Sequence, residues 1–243
     1  CRSRRGSGPR PKSWSPGSIS TETVIGLSWS GGKDSALALE KLRSTGQAPG
    51  LLLSTVDEER GVVAHHDTPL TLLRAQAESV GLPLVEVLIP PAASNDTTYE
   101  ERMAEAFEGP LAEVSGIAFG DLFLEDLRDY REKRMKEIGR AAVFPLWGSD
   151  TRALAAEFTG RYEATVCAID LEQLPGLDPG VPYDRKFLDA LPSSADPCGE
   201  MGEFHTFVHD GPVFSAPVTF ALGGMDISVD GRFSYANMAP EAD

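Results

Sequence analysis

The sequence predicts an α/β protein, built on a doubly wound parallel sheet with a smaller C-terminal α+β domain. Three observations carry that prediction. Short apolar runs alternate with helix-length segments from Val24 to Phe119, the pattern of repeated strand–helix units. The first run breaks into a Gly-rich turn that opens a helix. Beyond about residue 142 the chain changes to short β-type runs between Pro-, Asp- and Gly-rich segments.

Taken in order, Val24–Leu27 reads as a buried strand, and Ala36, Leu37, Leu39 and Leu42 mark the packed face of a helix over about 34–45. A second strand, Gly50–Val56, leads into a polar connection over 57–66. A helix over about 67–80 follows, with Asp67 or Thr68 as N-cap and Pro69 in its first turn. Leu82–Leu88 is a third strand, stopped by Pro90-Pro91. Thr97 or Thr98 opens a helix to about Val114, interrupted at Gly109-Pro110, and Gly116–Phe119 is a short buried strand closing at Gly120-Asp121. Leu122–Ile138 reads as one helix, with Phe123, Leu127, Tyr130, Met135 and Ile138 on its packed face. Ala142–Gly148 is a strand and turn, Asp150 caps a helix to about Thr159, and Tyr162–Ile169 is another strand. A short helix over 185–191 precedes β-type runs at 203–208, 212–214, 218–222, 225–229 and 232–235. The last two flank Asp230-Gly231, a hairpin signal. The expected organisation is a tail over 1–21, a ligand-binding domain over 22–125 and a substrate domain over 126–240, with the change of character spread over 122–142.

Composition excludes several classes. No apolar run approaches the ~20 residues needed to span a bilayer. Residues 1–20 carry five basic side chains and no acid, and the remainder carries 17 basic and 37 acidic ones. So acidic a body is unsuited to nucleic acid, where affinity rests on neutralising phosphates. The tail, rich in Ser, Gly, Pro and Arg, reads as disordered, and a start at Cys1 rather than Met reads as a fragment or as the continuation of an upstream segment. Cys1, Cys167 and Cys198 make no Cys-x-x-Cys pair, which removes a zinc ribbon and points to a reducing compartment, the cytoplasm.

Chemistry concentrates in two stretches. In Ser30-Gly31-Gly32-Lys33-Asp34-Ser35, a Gly-rich turn meets a helix N-terminus, where backbone N–H groups and the helix dipole gather an anion. Ser30 and Ser35 add hydroxyls and Lys33 a full charge, so the ligand expected is a phosphate. The spacing is not that of a Walker A loop, because Gly32 is followed by Lys33-Asp34 rather than Lys-Ser/Thr. Ligands in such sheets sit beyond the carboxyl ends of the strands, which gathers this loop, the 57–66 connection with His65-His66, and Gly120-Asp121 on one edge. Asp121 there can reach a metal through water or a ribose, or cap a helix. Arg128, Arg131, Lys133, Arg134 and Lys136 read mostly as a solvated face with interspersed acids, from which Arg131 or Arg134 could reach an anionic ligand. The second stretch, Gly199-Glu200-Met201-Gly202-Glu203-Phe204-His205-Thr206, sets two carboxylates on a loop entering a strand. His205 belongs to it, while His209, four residues on, lies about 13 Å away on a strand and reads as surface.

Ser30–Ser35 resembles, residue for residue, the signature of the PP-loop ATP pyrophosphatases, whose fold is Rossmann-like. Gly199–Thr206 resembles the Gly-Glu-x-Gly-Glu-aromatic-x-Thr segment of the diphthine–ammonia ligase family within them. Gly120-Asp121 with the helix after it, and Pro145-Leu146-Trp147, are similar to that family too, so the likeness runs from about Val24 to Phe214. The resemblance implies an enzyme that uses ATP and Mg2+ to adenylate the carboxylate of diphthine, a modified histidine on translation elongation factor two. Ammonia then displaces AMP. By position, Ser30, Gly31, Gly32, Lys33, Asp34 and Ser35, with Gly120 and Asp121, would bind the nucleotide. Asp34 would hold Mg2+ or cap the helix. Gly199, Glu200, Gly202, Glu203, Phe204, His205 and Thr206 would face the substrate. The paired carboxylates with Phe204 or Trp147 would suit a quaternary cation, or either Glu would serve as base. Two other readings fit the same loop: a PP-loop enzyme modifying RNA, such as a thiolase or lysidine-type ligase, and a nucleotide sensor without catalysis.

Overall fold

The computed structural model describes residues 24–90 and 96–241. The expected disordered tail therefore lies outside the described residues, as does Pro91. The first half runs β1 (Val24–Ser28), α1 (Lys33–Ser44), β2 (Leu51–Asp57), β3 (Val62–Val63), β4 (Thr68–Pro69), α2 (Leu70–Val80), β5 (Leu84–Ile89), α3 (Asp96–Glu108), β6 (Val114–Ala118), α4 (Glu125–Glu137) and β7 (Ala141–Val143). The second half runs α5 (Thr151–Thr159), β8 (Glu163–Asp170), α6 (Arg185–Ala190), β9 (Phe204–Asp210), β10 (Phe220–Ile227) and β11 (Phe233–Pro240).

Five strands lie parallel in the order β5–β2–β1–β6–β7. Chain order reverses between β1 and β6, which opens a crevice beyond their carboxyl ends, where open α/β sheets take ligands. The small hairpin β3–β4 joins the same sheet by pairing Val63 with Val56 of β2, bringing it to seven strands. The second sheet is antiparallel, in the order β10–β11–β8–β9. The fold class expected from the sequence is therefore the one observed: a mainly parallel α/β sheet with a smaller antiparallel one. Among the described residues no helix is long and apolar enough to cross a membrane.

One core cluster joins the halves. Leu37, Leu39 and Leu42 of α1 and Leu73 of α2 pack with Phe158, Tyr183, Phe187, Phe204 and Val208 of the second half. A separate cluster includes Val87 of β5, Phe107 of α3, Ile117 of β6 and Met135 of α4. Seven consecutive buried residues follow Glu163 in β8, so that strand is covered on both faces.

Several local expectations change. Helix α2 begins at Leu70 with no side-chain cap, because Thr68 is drawn into β4 opposite Val63. Helix α4 begins at Glu125, not Leu122, because the Leu122 amide is taken by Glu200 at 2.7 Å and the Leu122 side chain is buried before the helix starts. Of its proposed packed face only Met135 is buried, and Phe123, Tyr130 and Ile138 are each about two-fifths exposed (39%, 38% and 40%). Gly109-Pro110 ends α3 outright, and Val114 belongs to β6. The runs at 218–222 and 225–229 merge into β10 across a register shift between Leu222 and Met225, and 212–214 is not a strand. Asp150 caps α5 as expected, accepting from the Ala153 amide at 2.8 Å.

Candidate active site

The loop after β1 lies at the crevice and is clamped on two sides. Gly31 takes φ +79°, which a side chain would strain, and a Cβ there would come within 2.7 Å of Gln76 Oε1. Gln76 is fully buried in α2; its Oε1 accepts from the Trp29 indole at 2.9 Å, and its Nε2 donates to the Gly31 carbonyl at 3.0 Å and the Val208 carbonyl at 2.6 Å. From the second sheet, the Val208 amide donates to the Gly31 carbonyl at 2.9 Å, and Thr206 Oγ1 accepts from the Lys33 amide at 3.0 Å. Ser30 Oγ accepts from the Gly32 amide at 3.3 Å, and Ser35 Oγ donates back to the Gly32 carbonyl at 2.8 Å. The loop is thus built before any ligand arrives.

Lys33 and Asp34 form its charged centre. The Lys33 ammonium is buried, 2.8 Å from Asp34 Oδ2 and 5.5 Å from the Phe204 ring centroid. Burial works against that ammonium, yet the neighbouring Asp34 carboxylate and the charge of Glu200 outweigh it, and its pKa is raised. Burial also pushes Asp34 above the usual carboxylate range, against the pull of Lys33. Asp34 Oδ1 is buried with no hydrogen-bond partner. Gly120 is required beside this pair, since a Cβ would lie 3.0 Å from the Asp34 carbonyl carbon.

The Gly-Glu stretch divides into one half-buried carboxylate and a scaffold. Glu200 Oε1 accepts from the Leu122 amide at 2.7 Å. Burial, with the nearby Asp34 and Asp121 carboxylates, lifts Glu200 to about 7 despite Lys33 and that hydrogen bond. Glu203 behaves differently from its partner: it is 2% exposed, and its two oxygens accept from the Asp196 and Met201 amides at 2.7 and 2.9 Å. Its carboxylate closes the loop rather than meeting a substrate. Gly199 and Gly202 turn that loop at φ +66° and +80°. Thr206 anchors α1, as above. Phe204 is a core residue packed on Tyr183 and Phe187, and Trp147 is covered by the Arg128 guanidinium at 4.7 Å. Neither ring is arranged with the Glu pair as a cage for a cation. Cys198 is buried, its thiol pushed up to about 12, and inert on that account.

A cavity of about 940 Å3 runs from Ser30 along the carboxyl ends of β1 and β2 to α3 and α4. Apolar Val56, Met103 and Phe119 line it, with Asp57, Tyr99 and Arg131 supplying polar groups. Asp121 is not free beside it, because Arg131 Nε lies 2.7 Å from Asp121 Oδ2. Arg134 pairs with Glu100 and Glu137. His65, His66 and His205 line the cavity's other end, the His66 and His205 rings 4.5 Å apart. His209 is half-buried against Phe220 at 5.2 Å, not on the open surface.

Sequence reasoning found the loop and Glu200 but missed Gln76 and the meeting of His65 and His66 with His205. Gln76 had one legible sign, an amide on the otherwise apolar face of α2.

The family model for the diphthamide synthase N-terminal domain matches residues 23–142, and that for the diphthamide synthase C-terminal domain matches residues 150–224. No curated protein matches the chain. A crystal structure described as a predicted subunit of tRNA methyltransferase, from Methanocaldococcus jannaschii, is 18% identical over 76% of this chain and 96% of that one, with a TM-score of 0.43.

Proposed function

The chain belongs to the diphthamide synthase family, and from that premise we propose that it is an ATP-dependent amidoligase that adenylates a diphthine-like carboxylate and transfers ammonia to it. The observation that carries the reading is the convergence of Lys33, Asp34 and Glu200 on the phosphate-type loop at the reversal point of the sheet. The two-domain division at 125/126 is part of the same proposal, with the parallel sheet binding nucleotide and the second half supplying Glu200.

In the first step a carboxylate oxygen of the substrate attacks the α-phosphorus of ATP, and the bond to the departing pyrophosphate breaks with its electron pair. Lys33, held protonated and preoriented by Asp34, offsets the charge that grows on that bridging oxygen. In the second step the nitrogen of ammonia attacks the acyl carbon and AMP leaves with its pair. Glu200, poised at about 7, takes the proton the nitrogen sheds. Its Oε1 is fixed by the Leu122 amide, so Oε2 is the oxygen left to act. Glu203, Thr206 and Gln76 are positioning residues that hold the loops in register.

Asp34 Oδ1, a buried carboxylate oxygen without a partner, has the chemistry a Mg2+ site needs, and Asp34 would hold that ion. When bound, Mg2+ supplies neutralisation of phosphate charge. The proposed acceptor is a protein carrying the modified histidine, in the manner of translation elongation factor two, with ammonia as co-substrate and a cytoplasmic setting.

The test is ATP consumption with Mg2+ and ammonium, with and without the acceptor, and with nucleotide products resolved. AMP and pyrophosphate that depend on acceptor and vanish in Lys33→Ala support the reading. ADP and phosphate overturn it.

A further inference from the structure

Three imidazoles at the mouth of the loop have no part in the chemistry above. Two come from the hairpin β3–β4 and one from β9, and they meet across 140 residues of chain, where the His66 Nδ1 lies 3.3 Å from the Thr206 carbonyl oxygen. The hairpin tip is built to reach there. His65 (φ 63°) and Asp67 (φ 54°) are both left-handed, a conformation that a non-Gly residue adopts only against steric resistance. The His66 and Asp67 amides close the tip onto the Ala64 and Val63 carbonyls at 2.8 and 2.9 Å, and Asp67 pairs with Arg60. His66 then rests on the loop itself: a Cβ at Gly32 would lie 2.9 Å from its Cε1. His205 stacks beside it, ring centroids 4.5 Å from His66 and 6.3 Å from His65.

Charge makes this packing informative. Burial, with Lys33 and His65 beside it, holds His66 down at about 4. Burial and its two histidine neighbours hold His205 well below its ordinary value. His66 and His205 are therefore held neutral, and with the His66 Nδ1 proton directed at the Thr206 carbonyl, its Nε2 becomes a second donor only on protonation. An oxyanion between the rings would offset Lys33 and accept from that second donor, which makes protonation favourable. Among the described residues the three rings do not belong to any group of three or more His, Cys, Asp or Glu side chains placed to hold a metal ion. The other charged or titratable groups facing the site are Lys33 from α1 and, along the cavity, Asp57 from β2, Tyr99 and Glu100 from α3, and Tyr130, Arg131, Arg134 and Glu137 from α4.

Resting on the proposed ATP cleavage, we infer that His65, His66 and His205 form a second phosphate subsite, which takes the terminal phosphate oxygens of the nucleotide and of the pyrophosphate that departs. The loop and Lys33 hold the phosphate nearer the α-position and the imidazoles hold the distal one. Binding draws protons onto the rings, so pyrophosphate is retained at lower pH and released as pH rises.

Isothermal titration calorimetry of the full chain at fixed Mg2+, in two buffers of different ionisation heat, tests this with inorganic pyrophosphate, orthophosphate and AMP. The wild type is expected to bind pyrophosphate about tenfold more tightly than His66→Asn/His205→Gln, with greater proton uptake and equal affinity for AMP. His65→Asn, at an exposed position where the fold is not at stake, should lose part of the same affinity. Unchanged affinity and uptake in these variants, with binding lost in Lys33→Ala, overturns the imidazole subsite and leaves the ATP reading standing. Orthophosphate binding as tightly as pyrophosphate overturns the assignment to a distal phosphate and makes a free phosphate the ligand. A wild type that binds neither pyrophosphate nor AMP sinks the ATP reading and this inference together.

Discussion

Replacing Gln76 separates a positioning role from a catalytic one. Gln76→Leu keeps the volume and the apolar surroundings but removes an acceptor and two donors. The Trp29 indole, 1% exposed, then loses the acceptor at 2.9 Å that satisfies it. An orphaned buried donor costs about 1–3 kcal/mol, and the bonds to the Gly31 and Val208 carbonyls contribute about 1 kcal/mol more, since the Gly31 carbonyl keeps the Val208 amide. The sum is about 3 kcal/mol, which for a chain of this size lowers Tm by about 6–12 °C. Gln76→Glu should be worse at neutral pH, because a carboxylate would face two carbonyl oxygens. Its folded pKa would be raised, so the variant is least destabilised below the unfolded value near about 4.3 and loses stability as pH rises through the folded one. Thermal unfolding between pH 4 and 8 measures both. A Gln76→Glu protein as stable as wild type at pH 8 would refute the account of the loop as a clamp closed through this amide.

Other outcomes follow from single residues. Glu200→Gln should lower kcat by about 100-fold or more. In the wild type, activity should rise with pH through about 7 as Glu200 deprotonates, a limb absent from the variant's pH–rate profile. Gly32→Ala sets a Cβ 2.9 Å from His66 and 3.0 Å from the Thr206 carbonyl oxygen, which as backbone cannot retreat, so nucleotide affinity should fall while Tm changes little by comparison; calorimetry with an ATP analogue reads it. Asp170 is fully buried and accepts from Arg232, Gln173 and the Glu172 amide, and its pKa is lowered by those hydrogen bonds against its desolvation. Asp170→Asn should cost about 2–4 kcal/mol at pH 7, a difference that denaturant titrations should find shrinking as pH falls below the unfolded-state value of about 3.9 and on through the lowered folded one.

What the sequence made legible was local. Ser30–Ser35 is contiguous, sits where a strand gives way to a helix, and needs no tertiary partner to be recognised. The alternation behind the parallel sheet is likewise written within each unit. The errors come where a residue's role is set by something distant. Glu203 looks like its neighbour Glu200 in sequence, yet one turns inward to the Asp196 and Met201 amides and the other toward Asp34. Phe204 carried the mark of a cation-binding ring, but the cation it meets is the chain's own Lys33. Thr68 had every local property of a helix cap, and pairing with Val63 overrode it. Phe123, Tyr130 and Ile138, in and beside helix α4, are exposed at a spacing that periodicity alone assigns to a core face. His65 and His66 could not be joined to His205 without the fold.

Phe204, His205 and the residues they meet share a location, the seam along β9. In that strand Thr206 holds the Lys33 amide, Val208 holds the Gly31 carbonyl, and Gln76 reaches the Val208 carbonyl from behind. Its alternate residues Phe204 and Val208 enter the same core cluster as α1. An isolated glycine-rich loop is conformationally loose, and fixing each of its residues costs about 1–2 kcal/mol of backbone entropy. Here hydrogen bonds from the second sheet contribute to that ordering. The sheet that supplies Glu200 is thus the one that sets the loop's shape. A displacement of β9 would move the charge of Lys33, the Glu200 loop and the His205 ring together, so these three groups cannot be tuned independently in this fold.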